Sequence, residues 1–214
     1  MAKKQKLYIF DLDGTLIDDM PFYKKIYSEN LEQLVGERYG VEGLRLVNMM
    51  RRANGGKGEF ALLALGISYD EWLDRISEEQ IAELKPRPGL VKAVRSLDGI
   101  KVIFTGTSKR ITSRILARAG FKEQDFEEIV AMEKPAVVPI KLTADPLVFE
   151  YLLNRYSIKP GDAYTIGDEY RFDVLPAKSI GMHTIEVRHN SGSAEYFALT
   201  ILDAIEYLKS LQSV

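Results

Sequence analysis

YIFDLDGTLI, residues 8–17, is the most informative stretch of this sequence. Residues 6–10 are almost wholly apolar and β-prone, as in a strand that is covered on both faces. Two carboxylates, Asp11 and Asp13, end this run with one residue between them, and a glycine and a threonine follow. Because two negative charges at the end of a buried strand repel each other, the pattern indicates a site that binds a positive partner.

The segment after this strand has the period of helices. Between residues 20 and 84 apolar side chains recur every three to four residues, and no strand pattern occurs. Helices are predicted at 21–39 with Gly40 as the cap, at 43–53, at 59–65, around Tyr69 to Ile76, and from Ser77 onward.

Strands and helices alternate after a break at KPRPG, residues 85–89. The predicted strands are 101–105, 128–132, 163–167 and 183–187. The predicted helices are 90–97, one that begins at Ile111 and has Gly120 as its cap, 146–157, 171–180 and 200–211. This alternation favours a parallel sheet with helices on both faces. The first strand belongs to the same sheet, so the prediction is an α/β fold. Its Rossmann-like core is formed by residues 1–17 and 85–214, and residues 18–84 form an inserted α-helical cap.

Composition narrows the class of protein. The chain has 214 residues, 46% of them apolar, a net charge of −2 and no cysteine. The charge is too balanced for a nucleic-acid polymer or a membrane surface as partner, and the lack of cysteine excludes thiolate chemistry. The apolar part of MAKKQKLYIF is too short for a secretory signal, and no apolar run is long enough to span a membrane. We therefore expect a cytoplasmic protein.

Polar residues cluster where the predicted strands end. Thr105 to Ser108 follow the strand at 101, and Asp168 and Asp173 follow the strand at 163. Ligands of an open parallel sheet bind beyond the carboxyl ends of its strands, so these clusters are expected to meet Asp11 and Asp13. Mg²⁺ suits such a set of oxygen ligands and leaves room for a phosphate. The alternative for each aspartate alone is a helix cap or a turn.

Three motifs in this order resemble those of the haloacid dehalogenase superfamily, in its phosphatase branch with a helical cap. DLDGTLI is similar to the first motif, VIFTGTS to the second and GDEYRFD to the fourth. The resemblance spans nearly the whole chain, and the helical block lies where one subclass carries its cap. It implies a hydrolase with Mg²⁺ as cofactor.

The resemblance also implies roles for individual residues. Asp11 would attack phosphorus, and Asp13 would protonate the leaving oxygen and then activate water. Thr105 and the N–H of Gly106 would hold phosphoryl oxygens. The Mg²⁺ ligands would be Asp11, the backbone carbonyl of Asp13, and Asp168, with Asp173 supporting them. An acid at position 13 disfavours dehalogenation.

The third motif departs from the family pattern. A lysine is expected shortly before DPLVF, residues 145–149, but the matching position holds Thr143. Lys141 lies two residues earlier, and Lys134 precedes a proline. A cation is needed to offset Asp11 and the phosphoryl charge, so we expect Lys141 to supply it, with Lys134 as the alternative.

The cap stretch RRANGGKGEF, residues 51–60, contains the cations Arg51, Arg52 and Lys57. These cations are candidates for contact with an anionic substrate, and the alternative is a loop between helices.

The leading hypothesis is a Mg²⁺-dependent phosphatase that hydrolyses a small phosphorylated metabolite, as a monomer or homodimer. The alternatives are a phosphomutase that uses the same aspartyl phosphate and a non-catalytic binding protein with a degenerate site.

Overall fold

The computed structural model describes residues 5–132, 141 and 144–212. The chain divides into two compact units. The first contains the described residues up to Asp18 and from Pro86 onward, and the second runs from Asp19 to Lys85. These divisions fall one residue beyond the expected boundaries of the cap, 18 and 84.

The first unit is built on a six-stranded, wholly parallel sheet with the strand order β3-β2-β1-β4-β5-β6. The strands are β1 (Leu7–Phe10), β2 (Ile100–Ser108), β3 (Glu128–Met132), β4 (Ala163–Gly167), β5 (His183–Val187) and β6 (Tyr196–Ala198). The prediction of a Rossmann-like α/β core is confirmed. The chain extends the sheet in one direction from β1 through β2 and β3, then in the other through β4. The switch point is therefore beside β1.

Helices accompany the strands of this unit. They are α6 (Pro88–Arg95), α7 (Lys109–Ala119), α8 (Leu147–Tyr156), α9 (Leu175–Ser179) and α10 (Ile201–Ser210). The four residues of β1 are at most 1% exposed, which explains their apolar composition. On one face of the sheet Leu7 and Ile9 join a core cluster with Phe149 of α8 and Ala177 of α9.

Two details of the sheet differ from the prediction. β2 continues to Ser108, so Thr105 to Ser108 are part of the strand instead of following it. The pairing of β2 with β3 shifts register after Phe104, and such irregularities redirect side chains at the end of a strand. β6 was not predicted, because three residues are too short for a recognisable period.

The second unit is helical. Its helices are α1 (Met20–Tyr23), α2 (Asn30–Ala53), α3 (Phe60–Ala64), α4 (Tyr69–Leu73) and α5 (Glu78–Ala82), and a π-helical segment, Lys24–Glu29, joins the first two. Gly40 (φ 57°, ψ −146°) interrupts α2 where the sequence predicted a helix end. Ser77 caps α5 with a reciprocal bond to Gln80.

Asn30 and Gln80 hold α2 and α5 together by a pair of side-chain hydrogen bonds of 3.0 and 3.1 Å. Within the described ranges, none of the helices of either unit has the length and hydropathy of a membrane span.

Candidate active site

Asp11 lies at the switch point of the sheet, directly after β1. Its backbone N–H donates to the carbonyl of Ile166 at 2.9 Å, which continues the pairing of β1 with β4 by one residue. The side chain is only 6% exposed. The sheet therefore fixes the backbone of Asp11 while its carboxylate reaches beyond the strand end.

Lys141 joins two of the aspartates. Its ammonium group forms an ion pair with Oδ1 of Asp11 and another with Oδ1 of Asp173, the second at 2.7 Å. Burial lowers the pKa of Lys141, but the charges of Asp11 and Asp173 outweigh this effect and raise it above its usual range. Lys141 is therefore charged, and it lies beside Asp11, where the sequence analysis predicts a cation. Lys134, the alternative, lies outside the described residues.

Asp168 and Asp173 follow β4. Asp173 belongs to a π-helical segment, Tyr170–Val174, and its Oδ2 accepts a bond from the backbone N–H of Glu169 at 3.0 Å. This turn folds Asp173 back over the strand end, where a Cβ on Gly167 would lie 2.2 Å from the Asp173 carboxyl carbon. Only glycine fits at that position.

Three carboxylates converge at this end of the sheet. Ligand oxygens of Asp11, Asp168 and Asp173 lie within 4.8 Å of one another. Burial and the neighbouring carboxylates raise the pKa of Asp168 to about 8 and that of Asp173 to about 7, although Lys141 offsets part of the effect. The cluster therefore favours an added positive charge, either protons or a cation.

Thr15 and Gly14 complete the turn after β1. The buried hydroxyl of Thr15 lies 3.2 Å from Oδ2 of Asp11 and 3.2 Å from Oδ1 of Asp168, so it bridges the two carboxylates. Gly14 has φ +86°, and a Cβ there would lie 2.6 Å from Oδ2 of Asp168. The sequence analysis assigned no role to Thr15, because a threonine after a turn glycine carries no distinctive signal.

The carboxylate of Asp13 faces a different set of groups from that of Asp11. Its Oδ2 accepts hydrogen bonds from the hydroxyls of Thr107 at 2.7 Å and Thr105 at 3.3 Å. Among the described residues, the side chain of Asp13 is not part of the three-carboxylate group. The reason is that β1 ends at Phe10, so residues 11–13 do not continue the alternation of an extended strand.

Thr105, Gly106 and Thr107 occupy the irregular end of β2. The two threonines are buried, and the hydroxyl of Thr105 also accepts the backbone N–H of Thr107 at 3.1 Å. Gly106 lies between them and is partly exposed. The sequence analysis places Thr107 in the polar cluster of residues 105–108 and assigns it no role of its own, although its two-residue spacing from Thr105 on a strand would place both on one face.

The cap cations belong to the second unit. Arg51 and Arg52 lie in the last turn of α2, where Arg51 pairs with Glu32 at 2.8 Å, and Arg52 is exposed. Lys57 follows in a turn that contains two glycines with positive φ.

A buried aspartate at the switch point, paired with a lysine and flanked by further carboxylates, can act as the nucleophile of a hydrolase. Comparison with known families agrees with this class. The model of the haloacid dehalogenase-like hydrolases matches residues 5–181, and the chain belongs to this family.

Two curated relatives are similar over most of their length. The N-acetylmuramic acid 6-phosphate phosphatase of Pseudomonas aeruginosa is 24% identical over 200 residues, which are 86% of this chain and 82% of the relative. The glyceraldehyde 3-phosphate phosphatase of Methanocaldococcus jannaschii is 23% identical over 196 residues, 84% of this chain and 83% of the relative.

A solved structure shares the fold. The crystal structure of a "predicted phosphatase" from Clostridium acetobutylicum has a TM-score of 0.68 and 21% identity, and the match covers 99% of this chain and 100% of that one. At this identity the likeness supports the architecture described above.

Proposed function

We propose that this chain is a Mg²⁺-dependent phosphatase that hydrolyses a small phosphorylated metabolite through an aspartyl phosphate on Asp11. That it is a phosphatase follows from its family and from the two curated relatives, both of which are phosphatases. The single observation that carries the mechanism is the pairing of buried Asp11 with Lys141, beside an Asp13 that is held separately by two threonines.

Asp11 acts as the nucleophile. One of its carboxylate oxygens forms a bond to phosphorus, and the bond from phosphorus to the ester oxygen breaks. Lys141 forms an ion pair with Asp11 and offsets the repulsion between this carboxylate and the phosphoryl oxygens. Thr105 and the backbone N–H of Gly106 donate to the phosphoryl oxygens.

Asp13 moves the protons. In the first step it donates a proton to the leaving oxygen, which departs as an alcohol. In the second step the Asp13 carboxylate accepts a proton from water as the water oxygen attacks phosphorus. The acyl phosphate bond breaks, Asp11 is regenerated and inorganic phosphate leaves. The hydrogen bond from the Thr107 hydroxyl, 2.7 Å long in the resting protein, orients Asp13 for both steps.

The acidic cluster fits Mg²⁺. The ion prefers carboxylate and carbonyl oxygens, and the raised pKa values of Asp168 and Asp173 indicate that these groups gain from a neighbouring positive charge. We propose that Asp11, Asp168 and the carbonyl of Asp13 hold the ion, with Asp173 in support. Bound Mg²⁺ would supply charge neutralisation for the transferring phosphoryl group.

Trapping the intermediate tests this mechanism. The Asp13→Asn variant is mixed with p-nitrophenyl phosphate, whose leaving group needs little help from an acid. We expect a burst of about one p-nitrophenol per active site, followed by slow turnover, because water is no longer activated. A linear time course with no burst and no phosphorylated protein would contradict a covalent route.

A panel of phosphorylated metabolites tests the reaction class. Release of inorganic phosphate that depends on Mg²⁺ supports the phosphatase. Transfer of the phosphoryl group to a product with little free phosphate would instead identify a phosphomutase. A folded protein that binds these compounds without turnover would identify a binding protein.

A further inference from the structure

Arg188 has a backbone conformation that residues with a side chain rarely adopt. Its φ is +69°, in the left-handed region. It lies directly after β5 in a three-residue turn, in which the N–H of His189 donates to the carbonyl of Val187 at 2.8 Å. Its own N–H donates to the carbonyl of Ala198 at 3.0 Å. Strain of this kind persists only where surrounding contacts hold it, and it concentrates at functional sites.

Glu186 provides one of these contacts. Its carboxylate is only 1% exposed and accepts bonds from the backbone N–H and the hydroxyl of Ser191, at 2.8 and 2.6 Å. The proposed mechanism makes no use of this buried carboxylate. Glu186 and Ser191 lie on either side of Arg188, so their bonds fix the loop that carries it.

The guanidinium group of Arg188 reaches the active site. Nη1 donates to the carbonyl of Gly14 at 3.1 Å and lies 3.5 Å from Oδ2 of Asp168, and Nε lies 3.4 Å from Oδ1 of Asp18. The side chain is 19% exposed and that of Asp168 11%, so these charges are only partly screened. One arginine therefore links the end of β4 to Gly14 and Asp18 in the segment after β1.

The repulsion between the carboxylates of the cluster explains why the contact of Arg188 with Asp168 is important for stability. Asp11, Asp168 and Asp173 repel one another at the distances observed. Lys141 forms ion pairs with Asp11 and Asp173, and Arg188 forms one with Asp168.

We propose that Arg188 is a positioning residue that holds Asp168 in the acidic cluster before a metal ion binds. The proposal rests on the proposed function, because it takes this cluster to be the Mg²⁺ site. Arg188 and a bound metal ion would then both offset the negative charge of Asp168. Loss of Arg188 harms the metal-free protein most, since bound Mg²⁺ supplies part of the missing positive charge.

Thermal unfolding separates this role from a merely structural one. Arg188→Gln, Arg188→Lys and the wild type are melted at about pH 9, once in EDTA and once in saturating Mg²⁺. We expect Arg188→Gln to lower the metal-free Tm by about 5 °C and the Mg²⁺-loaded Tm by less than half as much. Arg188→Lys retains the charge and should recover at least half of the metal-free loss.

Arg87→Gln is the matched control, because Arg87 donates to the carbonyl of Asp18 at 2.7 Å and forms no ion pair with Asp168 among the contacts of the described residues. Its effect on Tm should be the same with and without Mg²⁺. Equal losses for Arg188→Gln in the two conditions, or no recovery in Arg188→Lys, would overturn the proposal.

Titration calorimetry of the resting protein with Mg²⁺ gives a second readout. Arg188→Gln should bind Mg²⁺ about threefold more tightly than the wild type, because a cation that competes for Asp168 is gone. Unchanged or weaker binding contradicts the role. If the wild type binds no Mg²⁺, the proposed metal site fails, and the metal-free comparison of Arg188→Gln with Arg188→Lys still decides on Arg188.

Discussion

Asp11 is the side chain on which the proposed chemistry depends most. Asp11→Asn keeps the shape of the side chain and removes its nucleophilic charge, so the variant should fold while kcat falls by several orders of magnitude. Steady-state hydrolysis of p-nitrophenyl phosphate measures the loss. A variant that retains more than about a tenth of the wild-type rate would falsify the assignment of Asp11.

Lys141 can be tested by removing its charge and keeping its length. Lys141→Met should lower kcat by about a hundredfold or more, because one preorganised electrostatic partner of Asp11 is lost. Lys134→Met is the companion variant and should cost little activity. The reverse pattern would move the role to Lys134, and two near-normal variants would mean that the site works without either lysine.

Asp168 makes the stability of the metal-free protein depend on pH. Its pKa in the folded state is raised to about 8, above the value of an exposed aspartate, so the folded form binds the proton more tightly than the unfolded form. The resulting stabilisation is complete below about pH 4 and is lost as the pH rises through about 8.

Asp168→Asn is isosteric with the wild type but does not titrate. Comparing the two proteins therefore measures how much the protonation of Asp168 contributes to stability. In EDTA, the Tm of Asp168→Asn relative to the wild type should rise steadily between about pH 5 and pH 9. Differential scanning calorimetry across this range provides the measurement. A difference in Tm that stays constant with pH, or falls, would contradict the raised pKa of Asp168.

At the level of elements, the end of β4 is the most tightly constrained. A Cβ on Gly167 would collide with the Asp173 carboxyl group, which is held by Lys141. Gly167→Ala should therefore lower activity at least about tenfold and lower Tm by several degrees, in the range of other steric substitutions in a core. Gly161→Ala is the control, since a Cβ there meets nothing within 4 Å. Equal behaviour of the two variants would show that the close approach at Gly167 has no consequence.

Helices and strands with long apolar runs or clear caps are predicted correctly from the sequence. Strands whose sequence pattern is short are not. Gly120 and Ser77 mark helix boundaries in the structure as expected, and Gly40 interrupts α2 where a helix end is predicted. β6 has three residues, and the continuation of β2 contains polar residues that read as a loop. β6 and the end of β2 form because they pair with neighbouring strands, and the sequence of a short segment carries no information on that pairing.

The site was predictable to the extent that its residues lie at strand ends. Asp11, Asp168 and Asp173 converge because parallel strands end at the same edge. The sequence analysis assigns no role to Thr15 or Arg188, and it places Thr107 in the polar cluster at the end of β2 without a role of its own. Arg188 follows an unremarkable strand, and its contact with Asp168 depends on a strained turn that the sequence does not indicate.

At the scale of the whole molecule, the division into two units predicts a division of labour. We propose that residues 19–85 set substrate choice and perform no chemistry. Replacing Arg51, Arg52 and Lys57 together with alanine should change KM or the ranking of phosphorylated metabolites, while hydrolysis of p-nitrophenyl phosphate survives.

Arg45→Ala provides a control for this experiment, because Arg45 is an exposed cation of the same unit and pairs with Glu42. It should leave both activities unchanged, since exposed ion pairs contribute little. If the triple variant is folded and loses both activities, the proposed division of labour is wrong.

The central position of β1 also has a consequence for how the chain is made. β1 is synthesised before the other strands of the described sheet, and its neighbours β2 and β4 follow about 90 and 150 residues later, which at ribosomal speeds is on the order of ten seconds for β2. During that time a strand of four core residues has no partner to pair with. The nascent chain must therefore keep LYIF from aggregating until β2 emerges, so mutations that make this segment still more apolar should reduce the yield of folded protein in cells before they alter its stability.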